Sequence, residues 1–238
     1  MYNVIFDMDG VIFDSERALL GCWLEVSEKY GLDKELVTKT YIKCIGTNHN
    51  QTTAIYKTAF GNVIDGNRLM TIWDESAALF RERYSDGNLP VKTGVTDILE
   101  YLNGNGISVG IASSTRKQTV ERQIRNAGLY DYFVGIIGGD AVKVSKPNPE
   151  IYLLACHSFG FEPAVTFAIE DSFNGIRAAS AAGMRPVMVP DIVPADAEME
   201  NLSEIVCKDL TAVMDYLKTQ SVDRIHGECP CVEQRNRN

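Results

Sequence analysis

The sequence predicts an α/β fold, a parallel β-sheet with helices on both faces, together with a small inserted helical bundle. Three observations predict it. Short apolar runs rich in β-branched residues recur with helical stretches between them. Within those runs the apolar residues are continuous rather than alternating, the pattern of strands covered on both faces. One long stretch, Ser15 to about Tyr84, breaks this rhythm and carries only helical periodicity.

The elements follow in order. Val4-Ile5-Phe6 reads as the first strand. In the stretch after it, Leu19, Leu20, Trp23, Leu24 and Tyr30 recur at helical spacing, as do Leu69, Ile72, Trp73 and Phe80, with Gly31, Gly46, Gly61 and Gly66 as punctuation. Asp86-Gly87-Asn88-Leu89-Pro90 is the expected return linker. Beyond it, Ile107 to Ala112, Phe133 to Ile137, Val165 to Ile169 and Pro186 to Val189 read as strands. Val95 to Asn103, Lys117 to Ala127, Pro149 to Phe159, Gly175 to Ala182 and Leu210 to Lys218 read as the helices around them. Gly104, Gly128, Gly160 and Gly183 stand where left-handed C-cap residues are wanted. The alternation implies right-handed crossovers and an open, Rossmann-like sheet. Residues 1–14 and 87–220 would form this core, 15–86 the inserted helical domain, and 221–238 a polar, weakly ordered tail.

The 238 residues carry 32 acidic against 23 basic side chains, a net charge of −9, which disfavours nucleic acid and anionic membranes as partners. No window reaches the roughly 20 apolar residues of a membrane span, and acidic residues stand where a signal peptide would be basic and then apolar. A cytoplasmic protein, monomeric or weakly homo-oligomeric, is the expectation. The six cysteines are scattered and form no C-x-x-C pair, so they read as reduced thiols. His226, Cys229 and Cys231 in the tail lack a fourth metal ligand.

In open α/β sheets ligands bind beyond the carboxyl ends of the strands. The first strand is followed there by Asp7-Met8-Asp9-Gly10, the second by Ser113-Ser114-Thr115-Arg116, and the fourth by Glu170-Asp171-Ser172. Lys146 follows the third strand and precedes a helix. Asp7 and Asp9, two residues apart, fall on one face of an extended chain. Like charges about 4 Å apart repel by roughly 4 kcal/mol at an effective dielectric near 20, so a cluster of acids calls for a cation. Oxygen donors without nearby cysteine or histidine favour Mg²⁺ over zinc. The turn at Ser113 offers hydroxyls and backbone donors at a helix start, a place suited to an anion, although a plain N-cap satisfies the same pattern. A metal, a lysine and an anion-binding turn on one rim point to phosphate chemistry, in which an Asp can act as nucleophile.

The segments Asp7-Met8-Asp9-Gly10-Val11-Ile12-Phe13-Asp14-Ser15, Ile111-Ala112-Ser113-Ser114, Ser145-Lys146-Pro147-Asn148-Pro149 and Ile169-Glu170-Asp171-Ser172 resemble, in order, the four motifs of the haloacid dehalogenase superfamily. The helical insertion resembles the C1 cap of the subfamily that holds phosphoglycolate phosphatase, sugar phosphatases and β-phosphoglucomutase. The resemblance implies that Asp7 attacks phosphorus to give an aspartyl-phosphate and that Asp9 acts as general acid and then general base. It further implies Mg²⁺ held by Asp7, the Asp9 backbone carbonyl and Asp171, with Glu170 orienting a bound water or ligand. Ser113 and Ser114 would bind the phosphoryl group and Lys146 would offset its charge. Cap residues Gly46 and Thr47 would face the site, and Arg116 is the candidate for a second anionic group of the substrate.

Within the family, the second Asp argues against carbon–halogen cleavage. Phosphonatases use a cap lysine as a Schiff base, a role for which Lys39, Lys43 and Lys57 are available but which ranks low. The nearest rival, β-phosphoglucomutase, has a cap histidine where Leu19 stands and basic residues where Ile45 and His49 stand. The expectation is therefore a Mg²⁺-dependent phosphatase acting on a small phosphorylated metabolite, with a sugar phosphate as the expected class. The alternatives are a phosphohexomutase and, further off, an idle ligand-binding regulator.

Overall fold

The computed structural model describes residues 2–45, 49–61 and 63–222. The chain runs β1 (Asn3–Phe6), α1 (Ser15–Lys29), α2 (Lys34–Cys44), α3 (His49–Phe60), α4 (Gly66–Tyr84), α5 (Val95–Gly104), β2 (Val109–Ser113), α6 (Lys117–Asn126), β3 (Gly135–Gly138), α7 (Glu150–Phe159), β4 (Thr166–Glu170), α8 (Phe173–Ala181), β5 (Arg185–Met188), α9 (Ala197–Leu202), β6 (Ile205–Val206) and α10 (Leu210–Val222). All six strands are parallel, in the order β3-β2-β1-β4-β5-β6. The order reverses at β1, so the crevice between the ends of β1 and β4 is the topological switch point.

Side chains alternate across the pleat and feed two cores. Val4 and Phe6, Val109 and Ile111, and Phe167 and Ile169 point toward α5, α6 and α10, where Ile98, Leu102, Ile124 and Val213 meet them. Ile5, Ala112 and Ala168 point the other way, toward Ile151, Tyr152 and Ala155 of α7 and Ala178 of α8. Small residues dominate this second face because the helices lie close. A Cβ on Gly110 or Gly135 would come within 2.5 Å of the Phe159 ring.

Helices α1 to α4 form a separate cap with its own core of Trp23, Val26, Val37, Tyr41, Tyr56, Phe60, Leu69 and Ile72. Trp23 stacks on Tyr56 at 4.6 Å between ring centroids, and Trp73 meets both edge-on at 5.5 and 5.9 Å. The cap leaves and returns at one place. The Asp14 N–H donates to the Pro90 carbonyl at 2.8 Å, and the Lys92 N–H donates to the Ile12 carbonyl at 2.9 Å.

Several expectations shift. α8 begins at Phe173 rather than Gly175, because Ser172 is the N-cap and its hydroxyl accepts from the Gly175 N–H at 3.0 Å. Gly104 is the last residue of α5, and the left-handed turn falls instead on Gly106, at φ 68°. Gly128, Gly160 and Gly183 do take left-handed conformations. β6 and α9 were not anticipated, being too short for periodicity to register. α10 extends to Val222, past the expected start of the tail at 221; residues 223–238, including His226, Cys229 and Cys231, lie outside the described residues. Cys22, Cys44, Cys156 and Cys207 are free thiols. Among the described residues no helix is long and apolar enough to cross a membrane.

Candidate active site

The acids sit at the carboxyl edge of the sheet at the switch point. The β1 ladder continues as the Asp7 N–H donates to Ile169, which sets Asp7 beside the end of β4. Carboxylate oxygens of Asp7, Glu170 and Asp171 lie within 4.8 Å of one another. Lys146 reaches into the cluster from the loop before α7, with its side chain only 6% exposed. Its Nζ donates to Asp7 Oδ1 at 2.6 Å, Glu170 Oε1 at 2.6 Å and the Ala112 carbonyl at 3.2 Å.

Glu170 is wholly buried. Its Oε1 also accepts from the Tyr152 hydroxyl at 2.7 Å, and its Oε2 accepts from Asp171 N–H, Ser172 N–H and Ser172 Oγ at 3.0–3.2 Å. The carboxylate is thus satisfied from within and works as an anchor for Lys146. Tyr152 is not among the expected site residues; it falls within the expected helix Pro149 to Phe159.

Burial pushes the Asp7 carboxyl up to about 8, opposed by the adjacent Lys146 charge and assisted by Glu170 and Asp9. Burial likewise holds Asp171 well above the usual carboxylate range, with Glu170 and Asp7 adding to the effect. For Lys146 burial acts downward, but Asp7 and Glu170 outweigh it and keep the ammonium charged. One lysine for three clustered carboxylates leaves the crevice short of positive charge. An all-oxygen donor set with that shortfall fits a hard divalent cation.

Asp9 is half-buried, and its Oδ2 accepts from the Thr115 hydroxyl at 2.7 Å. Gly10 follows with φ 79°, and a Cβ there would collide with the Asp171 carboxylate, so only glycine lets the turn pass the acid. Ser113 is buried, its Oγ accepting from the Thr115 N–H at 3.1 Å, while Ser114 is exposed above it. The start of α6 is already served: Asp140 accepts from the Lys117 N–H at 2.8 Å. The anion-binding capacity of the turn therefore rests on Ser113, Ser114 and Thr115 rather than on the helix end. Arg116 is exposed. Gly46 and Thr47 lie outside the described residues.

Lys92 and Asp191 also border the site and went unrecognised in the sequence, since neither belongs to a motif segment. Lys92 Nζ donates to the Gly10 carbonyl at 2.7 Å and to Asp191 Oδ1 at 2.8 Å. Asp191 joins Asp171, Ser172, Phe173, Asn174 and Arg177 of the core, and Glu16, Ile42 and Ile45 of the cap, around a cavity of about 270 Å³. Glu16 and Ile45 also line a second cavity of about 230 Å³ inside the cap.

A family model for haloacid dehalogenase-like hydrolases matches residues 4–189. The chain belongs to this family. Similar relatives include a Bacillus subtilis (strain 168) protein, YhcW, provisionally named a phosphatase, 32% identical over 92% of this chain and 98% of its own. A Thermotoga maritima protein named phosphorylated carbohydrates phosphatase is 30% identical over 79% of this chain and 84% of its own. A solved Thermotoga maritima structure, provisionally named a β-phosphoglucomutase, superposes with a TM-score of 0.71 at 27% identity, covering 92% of this chain and 99% of the other. The chain is thus a haloacid dehalogenase-like enzyme of phosphatase type.

Proposed function

We propose that the protein is a Mg²⁺-dependent phosphatase that hydrolyses a small phosphorylated metabolite, foremost a sugar phosphate, through an aspartyl-phosphate on Asp7. The observation that carries this reading is the Asp7–Lys146–Glu170 arrangement, a buried carboxylate held by a charged lysine at the switch point of the sheet. The phosphatase names of the relatives in Bacillus subtilis and Thermotoga maritima support the substrate class.

Each residue has a role that its position allows. Asp7 is the nucleophile: its carboxylate forms the new O–P bond as the ester oxygen departs. Lys146 fixes the Asp7 rotamer through Oδ1 and supplies positive charge beside the reacting phosphoryl group. Asp9, steered by Thr115, donates a proton to the leaving oxygen and then takes one from the water that cleaves the intermediate. The Ser113–Thr115 turn receives the phosphoryl oxygens. Asp7, Asp171 and the Asp9 carbonyl would hold Mg²⁺, with Glu170 beside them holding Lys146 and Asp171 in place. The ion would neutralise charge on the phosphoryl oxygens when bound.

Asp7→Asn removes the nucleophile and is expected to lower kcat for a phosphomonoester panel by at least about 10⁴-fold, while leaving the fold intact. Wild-type rates in this variant would overturn the mechanism. The β-phosphoglucomutase neighbour keeps a mutase reading in view, and conversion of β-glucose 1-phosphate to the 6-phosphate without net phosphate release would favour it.

A further inference from the structure

The two cavities meet at Glu16. It lines both, it is close enough to Asp9 and Asp191 to feel their charges, and its Oε2 accepts the Tyr41 hydroxyl at 2.8 Å. The cavity next to the acids and the cap cavity lined by Leu19, Trp23, Tyr41, Tyr56 and Trp73 therefore share Glu16 and Ile45 in their walls. Tyr56 is 2% exposed, and its hydroxyl has no hydrogen-bond partner among the described residues. Most buried polar groups in proteins are hydrogen-bonded, and of the seven buried side-chain polar atoms without a partner among the described residues, only those of Tyr56 and Asp191 belong to residues that line these two cavities. A group entering the cavity is the natural source of a partner for Tyr56.

The charges lining the two cavities narrow the chemistry. Arg177 is the one cation among the described residues that line either cavity. Its Nε and Nη2 are committed to Glu198 at 2.7 and 2.6 Å, and Nη1 approaches Asn174 at 3.4 Å. Arg116 lines neither cavity. A leaving group with a carboxylate or a second phosphate would meet Glu16 and Asp191 with no free cation among the described lining residues to pair it. A quaternary ammonium fares no better, since such cations bind over open aromatic faces. Here Trp23, Tyr56 and Trp73 pack on one another at 4.6–5.9 Å and leave no gap between facing rings.

We infer that Glu16 and Tyr56 are specificity-determining residues that hydrogen-bond hydroxyls of a neutral leaving group, so that the preferred substrate is the monophosphate of a polyol or sugar with no second anionic group. This rests on the phosphatase reading above and deepens it. The apolar edges of Leu19 and the aromatic residues cover the carbon face of such a group, while Glu16 accepts from its hydroxyls and Tyr56 donates to them or accepts from them.

The test compares kcat/KM with Mg²⁺ for a hexitol phosphate, hexyl phosphate, phosphoglycolate and phosphoethanolamine, with p-nitrophenyl phosphate as a generic ester. A site built to bind hydroxyls rejects an analogue that lacks them. The hexitol ester is expected to exceed the hexyl ester and phosphoglycolate by at least about 100-fold. Tyr56→Phe should lower the hexitol-to-hexyl ratio about 10-fold, chiefly through KM, with the melting temperature unchanged or raised because no protein partner is orphaned. Glu16→Gln should shrink the hexitol-to-phosphoglycolate ratio by a similar factor. Equal use of the hexyl ester, preference for phosphoglycolate or phosphoethanolamine, or an unchanged ratio in Tyr56→Phe would overturn the inference while leaving a working phosphatase. No Mg²⁺-dependent turnover of any ester would overturn the phosphatase reading, and this inference with it.

Discussion

Replacing Lys146 with methionine keeps most of the side chain's volume and deletes the charge that two buried carboxylates face. Breaking a buried ion pair from one side typically costs about 3–5 kcal/mol, because the remaining charge stays desolvated. The two partners should not suffer equally. Glu170 keeps Tyr152, Ser172 and two backbone donors, whereas Asp7 loses the 2.6 Å bond that held Oδ1. Asp7 has an escape by taking up a proton, and this makes the loss depend on pH. Its carboxyl already stands near 8 in the folded protein, against an ordinary value near 4, so the native state binds more protons than the unfolded chain across that window. Stability therefore declines as pH rises through it, and removing the lysine carries the decline to higher pH. Urea unfolding followed by circular dichroism, in the presence of a chelator, is expected to show a deficit about 0.8 kcal/mol larger at pH 8.5 than at pH 5, because only above pH 8 is Asp7 ionised in the native protein and still protonated in the variant. Adding Asp7→Asn to Lys146→Met should recover at least half of the high-pH loss, since the buried carboxyl is gone. A deficit that is the same at both pH values, or a double variant less stable than the single one, would refute the reasoning.

Two further outcomes follow from the same crevice. Because burial raises the Asp7 carboxyl to about 8 and shifts Asp171 upward as well, protons compete with Mg²⁺, and the rise in melting temperature on adding Mg²⁺ should be larger at pH 8 than at pH 5.5. Saturation at 100 times Kd would correspond to about 2.7 kcal/mol, and a shift that is constant or larger at low pH would count against these ligands. Gly175→Ala places a methyl against the Glu170 carboxylate, so the expected helix gain of about 1 kcal/mol is overridden by a net loss of about 1–3 kcal/mol and a fall in kcat/KM. A variant as stable and active as the wild type would show that Glu170 is free to move.

Much of this architecture was legible in the chain because it is repetitive. Five strands and the helices between them announce themselves through continuous apolar runs and glycine stops, and the segments at their carboxyl ends are where Asp7, Asp9, Ser113, Lys146, Glu170 and Asp171 stand. The α8 start was misplaced by two residues because Ser172 can serve both Glu170 and the cap of a helix. Contacts made at long range were not legible. Tyr152 looks like any buried residue on α7 until its hydroxyl is seen beneath Glu170, and Asp191 and Lys92 are separated by 99 residues although their side chains touch. The role of Glu16 was hidden for a similar reason, since its neighbours Tyr41 and Tyr56 come from other helices of the cap.

The meeting of the two linkers also bears on how the chain reaches this fold. β1 pairs with β2 across a separation of about 105 residues, Val4 opposite Val109, most of it occupied by the cap. A cap that assembles first through its own core would bring Asp14 and Pro90 together and leave about 30 residues of effective loop to close. On the logarithmic dependence of closure entropy on loop length, that lowers the cost of forming the central strand pair by about 1 kcal/mol. The domain that covers the site would then act earlier as a clasp, drawing together the two halves of a sheet to which it contributes no strand.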